Sequence, residues 1–208
     1  MTPSNPRIPY QLASDRRPLP LMQGKRLIVQ VALNVEHWPF DRPMPRTLLT
    51  SIQGKAAGPD VANFSWVEYG LRCGVPRIIR MMAERGLPGS ALMNASVVET
   101  YPRCSEALLE AGWEYVGHGY IQKALPTEDD EEAVISRSLE ILRRASGQRV
   151  RAWLGPGLAE THHTPDILMR HGVDCVHEWL LDDLPCWMRT SEGPMLALPY
   201  ALDLNDVP

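Results

Sequence analysis

The clearest hydrophobic pattern in the chain is an apolar, largely β-branched run over residues 26–38. The run ends in the polar residues Asn34, Glu36 and His37. A continuous apolar run between polar, proline-containing segments is typical of a strand buried on both faces of a parallel sheet. We therefore predict a first strand whose polar end lies in the crevice where α/β folds hold their binding groups. The simpler alternative is that Asn34 and Glu36 begin a solvent-exposed loop.

Shorter apolar runs alternate with helical patterns along the rest of the chain. Strands are predicted at 90–95, 113–119, 151–157, 173–179 and 195–200. Helices are predicted at 75–86, 104–111, 127–147 and 164–172, the last two with Thr127 and Thr164 as N-caps. Residues 39–60 are predicted to form one long loop, a kind of segment that is often functional. This alternation predicts an α/β fold with a parallel barrel or an open parallel sheet.

Each predicted strand also ends in a polar or aromatic residue. After Asn34 and Glu36, these residues are Asn94, His118, Trp153, Glu178 with Trp179, and Tyr200. Because the carboxyl ends of parallel strands meet at one edge of a sheet, the series describes the rim of an active site. A carboxylate, an imidazole and several amides suit the hydrolysis of an amide-like bond, in which a base acts on water and donors hold the oxyanion.

The composition narrows the function classes. A length of 208 residues fits one domain, and the net charge of -4 gives no reason to expect a nucleic acid or a membrane surface as partner. No segment approaches the roughly 20 apolar residues of a membrane span, and the N-terminus lacks a signal-peptide pattern, so we expect a cytoplasmic protein. The four cysteines lie far apart without a C-x-x-C pair, which indicates neither a disulfide framework nor a thiolate zinc site.

A series of short segments extends across nearly the whole chain after residue 27. The segments are 33–36, 63–70 with 75–76, 117–120, 151–161, 164–166, 182–183 and 199–206. In this order they resemble the polysaccharide deacetylase superfamily, the NodB-homology fold of carbohydrate esterase family 4, and within it the allantoinase-like branch. The resemblance implies a distorted (β/α)7 TIM-like barrel over residues 27–208. It also implies that the barrel is incomplete at its C-terminus, because the chain stops before the last motif of the family.

Residues 1–26 are rich in proline, arginine and serine without periodicity, and we interpret them as an N-terminal arm that lies over the domain or on a neighbouring subunit. An incomplete barrel would expose a strand edge that can pair with another chain. A homo-oligomer is therefore expected.

In the metal-dependent members of the superfamily, the first motif carries two aspartates and the second carries a His-x-x-x-His pair. The matching first-motif positions here are Asn34 and Glu36, and the matching second-motif positions are His118 and Gln122. If a metal is bound, the resemblance makes Glu36 and His118 its ligands. Because neutral amides are weak zinc ligands, we expect no cofactor, with zinc or another divalent metal as the alternative.

The leading hypothesis is a hydrolase of non-peptide carbon–nitrogen bonds with a small amide or ureide as substrate, similar to the allantoinase-like branch. In this hypothesis Glu36 positions or activates water and His118 acts as acid and base. Four residues are expected to contact the substrate: Asn34, Arg72, Gln122 and Trp153. The first alternative is a metal-dependent N-deacetylase of an acetylated sugar or peptidoglycan fragment. The second is a non-catalytic binding or scaffold protein with a degenerate site.

Overall fold

Within residues 3–50 and 59–206, seven short strands form one sheet with the order β1-β2-β3-β4-β5-β7-β6. They are β1 (Ala32–Val35), β2 (Ser90–Met93), β3 (Glu114–Gly117), β4 (Ala152–Trp153), β5 (Cys175–Val176), β6 (Cys186–Thr190) and β7 (Gly193–Ala197). The computed structural model describes residues 3–50 and 59–206. Neighbouring strands are parallel, apart from the antiparallel pair of β6 and β7. The predicted α/β class with a parallel sheet is therefore confirmed.

The helices connect the strands and cover one face of the sheet. They are α1 (Val61–Tyr69), α2 (Val75–Glu84), α3 (Ser96–Thr100), α4 (Pro102–Glu110), α5 (Glu131–Ser146) and α6 (Thr164–Arg170). The larger apolar cluster lies between this face and the helices, and it includes Met93 and Tyr115 of the sheet with Leu108 of α4 and Leu139 of α5. Burial of these side chains is the main force that holds the helices on the sheet.

The opposite face of the sheet carries the polar strand ends. Leu92 of β2 and Val116 of β3 lie on this face in a smaller apolar cluster, and the strand register places Asn34 of β1 beside Leu92. Side chains alternate between the faces of a strand with a period of two residues. Glu36 and His118 therefore emerge on this same face, just past the ends of β1 and β3.

The first strand is much shorter than predicted. Leu27, Ile28 and Val29 have exposed fractions of 76%, 69% and 74%, so the prediction of a doubly buried strand over residues 26–31 was wrong. Pairing with the neighbouring strand starts only at residue 31, whose carbonyl oxygen accepts a hydrogen bond from the Ser90 amide. Because β2 begins at Ser90, residues 26–30 run beyond the sheet, and no strand of the described residues pairs with them.

Several boundaries and one strand also differ from the predictions. Helix α5 is capped by Asp130, whose carboxylate accepts from the Ala133 amide at 2.9 Å, rather than by Thr127. Thr164 is the first residue of α6, and the residue at its N-cap position is His163. A π-helical turn over Gly70–Gly74 joins α1 to α2, so residues 61–84 are helical throughout. Strand β6 was not predicted, and part of the predicted loop over 39–60, residues 51–58, lies outside the described residues.

The N-terminal segment is attached to the domain by specific contacts. The Arg7 carbonyl oxygen accepts a hydrogen bond from the Arg189 amide of β6, and the Arg7 guanidinium donates to both Asp166 carboxylate oxygens at 3.2 and 2.7 Å. A second ion pair joins Arg16 to Asp182. This part of the predicted arm therefore lies over the domain, and the division of the chain at residue 26 stays a prediction.

Candidate active site

A cavity of about 2220 Å³, which we call the main cavity, lies beyond the carboxyl ends of the strands. Asn34, Glu36, His118 and Gln122, four of the residues singled out from the sequence, are in its wall. As the strand-end pattern predicted, the fold brings the two residues at the end of β1 close to the two that follow β3, although more than 80 residues separate them in sequence. Tyr200, which follows β7, lines the same cavity.

Glu36 and His118 form the polar centre of the main cavity. Glu36 Oε1 lies 3.5 Å from His118 Nε2, and the Trp38 indole Nε1–H donates to Glu36 Oε2 at 2.8 Å. Burial by itself raises the pKa of Glu36, but the nearby His118 imidazole and the Trp38 hydrogen bond together bring this pKa below its usual value. Glu36 is therefore a carboxylate at neutral pH.

The backbone fixes the orientation of the His118 ring. Its Nδ1 lies 2.5 Å from the Leu154 carbonyl oxygen, which can only accept a hydrogen bond, so Nδ1 carries a proton. The other nitrogen, Nε2, is buried without a hydrogen-bond partner among the described residues and faces Glu36. A neutral Nε2 and a carboxylate are both acceptors, so a proton or a water molecule between them would satisfy both.

Asn94 connects the strand ends behind this pair. Its side-chain Oδ1 accepts from the His37 amide at 2.9 Å, while its Nδ2 donates to the His118 carbonyl oxygen and to Gln122 Oε1 at 3.4 Å. The residue is fully buried. Asn94 therefore holds the segments after β1 and β3 in register, and it leaves the amino group of Gln122 available to the main cavity.

The floor of the main cavity contains a cluster of amide and hydroxyl groups. Asn34 Nδ2 donates to the Tyr200 hydroxyl at 3.1 Å, and Asn205 Nδ2 donates to the same oxygen at 2.8 Å. Since the hydroxyl oxygen accepts two hydrogen bonds, its own proton is available for donation. Asn34 Oδ1 is buried and has no hydrogen-bond partner among the described residues, so it can accept one.

The other two residues predicted to contact substrate lie outside the wall of the main cavity. Trp153 is fully buried, and its ring packs so closely on Gly117 that a Cβ at position 117 would come within 2.8 Å of Cζ3. Arg72 is on the outer surface, with 74% of its side chain exposed and an ion pair to Glu68 at 2.5 Å. Trp153 therefore acts on the site through packing against β3, and we remove Arg72 from the candidate site.

A buried pair of carboxylates supports the opposite wall. Glu178 accepts hydrogen bonds from the backbone amides of Gly155 and, at 3.1 Å, His177. Burial and the nearby charge of Glu160 raise the pKa of Glu178 to about 8. Burial raises the pKa of Glu160 to about 7, although Trp179 donates to it at 2.7 Å. Glu178 thus fixes the start of the segment 155–158, which lines the main cavity.

A comparison with models of protein families identifies the family of this chain. Residues 60–176, more than half of the chain, match the family model described as polysaccharide deacetylase. The chain belongs to the polysaccharide deacetylase family. The matched region contains His118 and Gln122 as well as α1 to β5, so the motifs singled out in the sequence fall largely within it.

The individual proteins that this polysaccharide deacetylase family member resembles share about a quarter of its residues. A peptidoglycan deacetylase from Helicobacter pylori is 24% identical over 136 residues, which cover 64% of this chain and 46% of the relative. Among solved structures, Puue allantoinase is 25% identical with a TM-score of 0.72, covering 85% of this chain and 62% of that one. A probable polysaccharide deacetylase from Pseudomonas aeruginosa PAO1 is 26% identical with a TM-score of 0.72, covering 85% and 63%.

These structures confirm the predicted fold, a distorted (β/α)7 barrel of the polysaccharide deacetylase type. Hydrogen bonds among residues 3–50 and 59–206 leave the sheet open between β1 and β6. The chain spans about half the length of the curated relative that it matches.

The metal that the family implies does not fit the residues present. In the described part of the chain, no group of three or more His, Cys, Asp or Glu side chains could hold a metal ion. Glu36 and His118 supply two donors, whereas a catalytic zinc site has three protein ligands and an open position. Asn34 and Gln122 are neutral amides, whose oxygens are weak ligands for zinc.

Sequence reasoning missed one residue of the site, Trp38, and it placed Tyr200 on the rim without giving it a role. Trp38 lies in the first predicted strand, but its indole contact to Glu36 depends on how the chain turns after β1. Tyr200 ends the predicted sixth strand, a signal that the sequence did carry. Its contact with Asn34 bridges 166 residues of sequence, and only the folded sheet reveals it.

Proposed function

We propose that this protein is a hydrolase of non-peptide carbon–nitrogen bonds that acts on a small amide or ureide. The observation that carries the proposal is the pair of Glu36 and His118, with Oε1 and Nε2 3.5 Å apart in the main cavity. A carboxylate with a lowered pKa next to an imidazole of fixed orientation is an arrangement that removes a proton from water. Membership of the polysaccharide deacetylase family supports this reaction class.

The reaction follows from the hydrogen-bonding capacity of the two side chains. A water molecule donates to His118 Nε2 and to Glu36 and attacks the carbonyl carbon of the substrate. Its proton passes to Nε2, and the Glu36 carboxylate stabilises the imidazolium that forms. When the carbon–nitrogen bond breaks, the imidazolium returns this proton to the leaving nitrogen. The products are a carboxylic or carbamic acid and an amine, so the atoms of one water molecule are accounted for.

The amides and the hydroxyl of the cavity provide the remaining groups that the reaction needs. The Tyr200 hydroxyl and the Gln122 amino group are donors that can hold the oxyanion of the tetrahedral intermediate. Asn34 Oδ1, buried and without a partner among the described residues, can accept a hydrogen bond from a substrate N–H. A ureide or amide offers both a carbonyl oxygen and an N–H, which this combination of donors and an acceptor would bind.

A metal-dependent N-deacetylase is the second candidate function. The similarity to the Helicobacter pylori protein, which is described as a peptidoglycan deacetylase, supports this candidate, because its substrate would be an N-acetylated sugar. The donor set does not favour it, because a metal would have only Glu36 and His118 as strong ligands. A non-catalytic binding protein would not require the Glu36–His118 geometry, and we rank that alternative last.

Turnover of a substrate panel tests the proposal. The panel contains ureides, primary amides and N-acetyl sugars, each assayed with and without a chelator. We expect turnover of an amide or ureide that the chelator leaves unchanged, and loss of this turnover in His118→Gln. His171→Gln is the matched control, because His171 lies on the surface at 3.2 Å from Glu132, away from the main cavity. No turnover of any substrate, or equal turnover in His118→Gln and the control, would refute the proposal.

Predictions on location and partners accompany this function. In the described part of the chain, no helix is long and apolar enough to cross a membrane. The four cysteines are free thiols, which suits the predicted cytoplasmic location. A small-molecule substrate and a homo-oligomeric state remain predictions, and so does the expectation that neither nucleic acid nor membrane is a partner.

A further inference from the structure

A second cavity of about 500 Å³, which we call the side chamber, lies next to the main cavity. The two cavities share the lining residues Pro39, Arg42, Ile121 and Lys123. Ile121 and Lys123 flank Gln122, so the side chamber begins directly beside the candidate active site. Its volume is that of a site for a small molecule or for one part of a larger ligand.

Three cationic side chains line the side chamber, and two of them have partners. Lys123 forms an ion pair with Glu128 at 2.5 Å. The Arg137 guanidinium stacks on Tyr120, 3.9 Å from the ring centroid, and donates to the Tyr120 hydroxyl at 2.7 Å. Part of the positive charge of the chamber is therefore already compensated.

Arg42, the third of these cations, has no ion-pair or side-chain hydrogen-bond partner among the described residues. Within residues 3–50 and 59–206, no carboxylate lies within ion-pair distance of its guanidinium, and its side chain forms no hydrogen bond. Its charge acts on His37 and Tyr120, which also line the side chamber. Arg42 thus stands at the boundary of the two cavities with its planar set of donors free.

Hydroxyl and imidazole groups add to the donors of the side chamber. Ser96 and Thr100 of α3 line it, and His37 Nδ1 lies 2.8 Å from Ser96 Oγ. Two carboxylates, Asp41 and Glu128, are also in the wall. An anion is therefore favoured by the free guanidinium and opposed by these two carboxylates, so a singly charged carboxylate fits better than a doubly charged phosphate.

We propose that the side chamber binds the carboxylate of a small molecule, with the Arg42 guanidinium as its principal donor. Because Arg42 lines both cavities, one ligand that extends from one cavity to the other can place a carboxylate beside Arg42 and an amide or ureide group beside Glu36. The proposal that the side chamber binds a carboxylate stands on the side chamber alone. The proposal that one ligand occupies both cavities rests on the proposed function, and it makes the substrate an amide or ureide that also carries a carboxylate.

Direct binding tests the proposed carboxylate site without any need for turnover. Butyrate, which carries a single carboxylate, and inorganic phosphate are titrated into the protein by calorimetry at constant ionic strength. We expect saturable binding of butyrate that is weakened at least about tenfold in Arg42→Gln, since a hydrogen-bonded charge pair is lost. Arg80→Gln is the matched control, because Arg80 on α2 is 73% exposed and outside both cavities. Arg42→Lys keeps the charge but loses the planar guanidinium, so its affinity should lie between those of Arg42→Gln and the wild type. If Arg42→Gln misfolds, the affinity of Arg42→Lys decides the test.

The results that would overturn the inference differ from those that would refute the proposed function. Absence of saturable butyrate binding, equal affinity in Arg42→Gln and Arg80→Gln, or tighter binding of phosphate than of butyrate would overturn it. In the kinetic arm, Arg42→Gln should raise KM about tenfold for substrates with a carboxylate and leave kcat unchanged. An equal rise in KM for neutral substrates would overturn the link between the cavities. A wild-type protein that binds butyrate but hydrolyses nothing would refute only the proposed function.

Discussion

Replacing Gly117 by alanine tests whether Trp153 supports the main cavity by packing. A Cβ at position 117 would lie 2.8 Å from Cζ3 of Trp153 and closer still to Cε3, whereas ordinary carbon–carbon contacts are about 3.5–4.0 Å. Trp153 is fully buried, so its ring cannot move without displacing its neighbours. Since overpacking of a core costs about 1–3 kcal/mol, we expect the free energy of unfolding to fall by about 2 kcal/mol in Gly117→Ala.

A double-mutant cycle with Trp153→Phe isolates this contact. Phenylalanine lacks the part of the indole ring that the added Cβ would meet, so the double variant should be less destabilised than the sum of the single variants by about 1 kcal/mol. Urea unfolding followed by circular dichroism gives the free energies of the four proteins. Gly74→Ala is the control, because a Cβ at this helical glycine meets nothing within 4 Å, and it should be neutral or stabilising. Additive effects in the cycle, or equal effects of Gly117→Ala and Gly74→Ala, would refute the reasoning.

Two further predictions concern the dependence of stability on pH. The raised pKa of Glu160, about 7 against 4.5, means that its contribution to stability is complete below about pH 4.5 and is lost as pH rises through about 7. Glu160→Gln should therefore flatten the fall in Tm between about pH 5 and 8 in scanning calorimetry, and parallel curves for the two proteins would contradict this. Hydrogen bonds from Arg7 lower the pKa of Asp166 from 3.8 to about 2, so this contribution is present above about pH 3.8 and is lost as pH falls through about 2. Arg7→Gln should cost about 2 kcal/mol at neutral pH and much less near pH 2, and an equal loss in the exposed control Arg17→Gln would contradict this.

Local sequence patterns correctly predicted those helices and strands whose burial follows from their own sequence. The apolar period and the terminal glycines predicted α2 and α4, and the short apolar runs predicted β2 and β3, because these elements bury one face or both. Residues 26–31 show where such a pattern fails. Their side chains are as apolar as those of a central strand, but no neighbouring strand extends far enough to cover them, and a single sequence does not report the length of a neighbour.

Strand β6 was missed for a different physical reason. Trp187 and Arg189 point to solvent while Met188 is buried, so the strand has only a short alternation at the edge of the sheet. Its partner β7 follows after a turn of two residues, and the pairing rather than the pattern stabilises it.

The sequence predicted which residues form the candidate site better than it predicted the contacts between them. Strand ends at one edge of a parallel sheet converge, and this rule brought Glu36 and His118 into one cavity as expected. The exposure of Arg72 and the burial of Trp153 depend on which side of an element faces the core, which motif similarity does not specify. The contact between Asn34 and Tyr200 requires the complete sheet, so no local pattern could have indicated it.

The central claim is that the Glu36 carboxylate and His118 together activate water. The most direct measurement is kcat/KM of the wild-type protein, Glu36→Gln and the control Glu84→Gln against the best substrate of the panel. The Glu84 side chain on α2 is 62% exposed and does not line the main cavity, so its substitution leaves that cavity unchanged. The account predicts a loss of about 10²–10⁴ in kcat/KM for Glu36→Gln and almost none for Glu84→Gln. A Glu36→Gln variant that retains kcat/KM within about twofold of the wild type would contradict it.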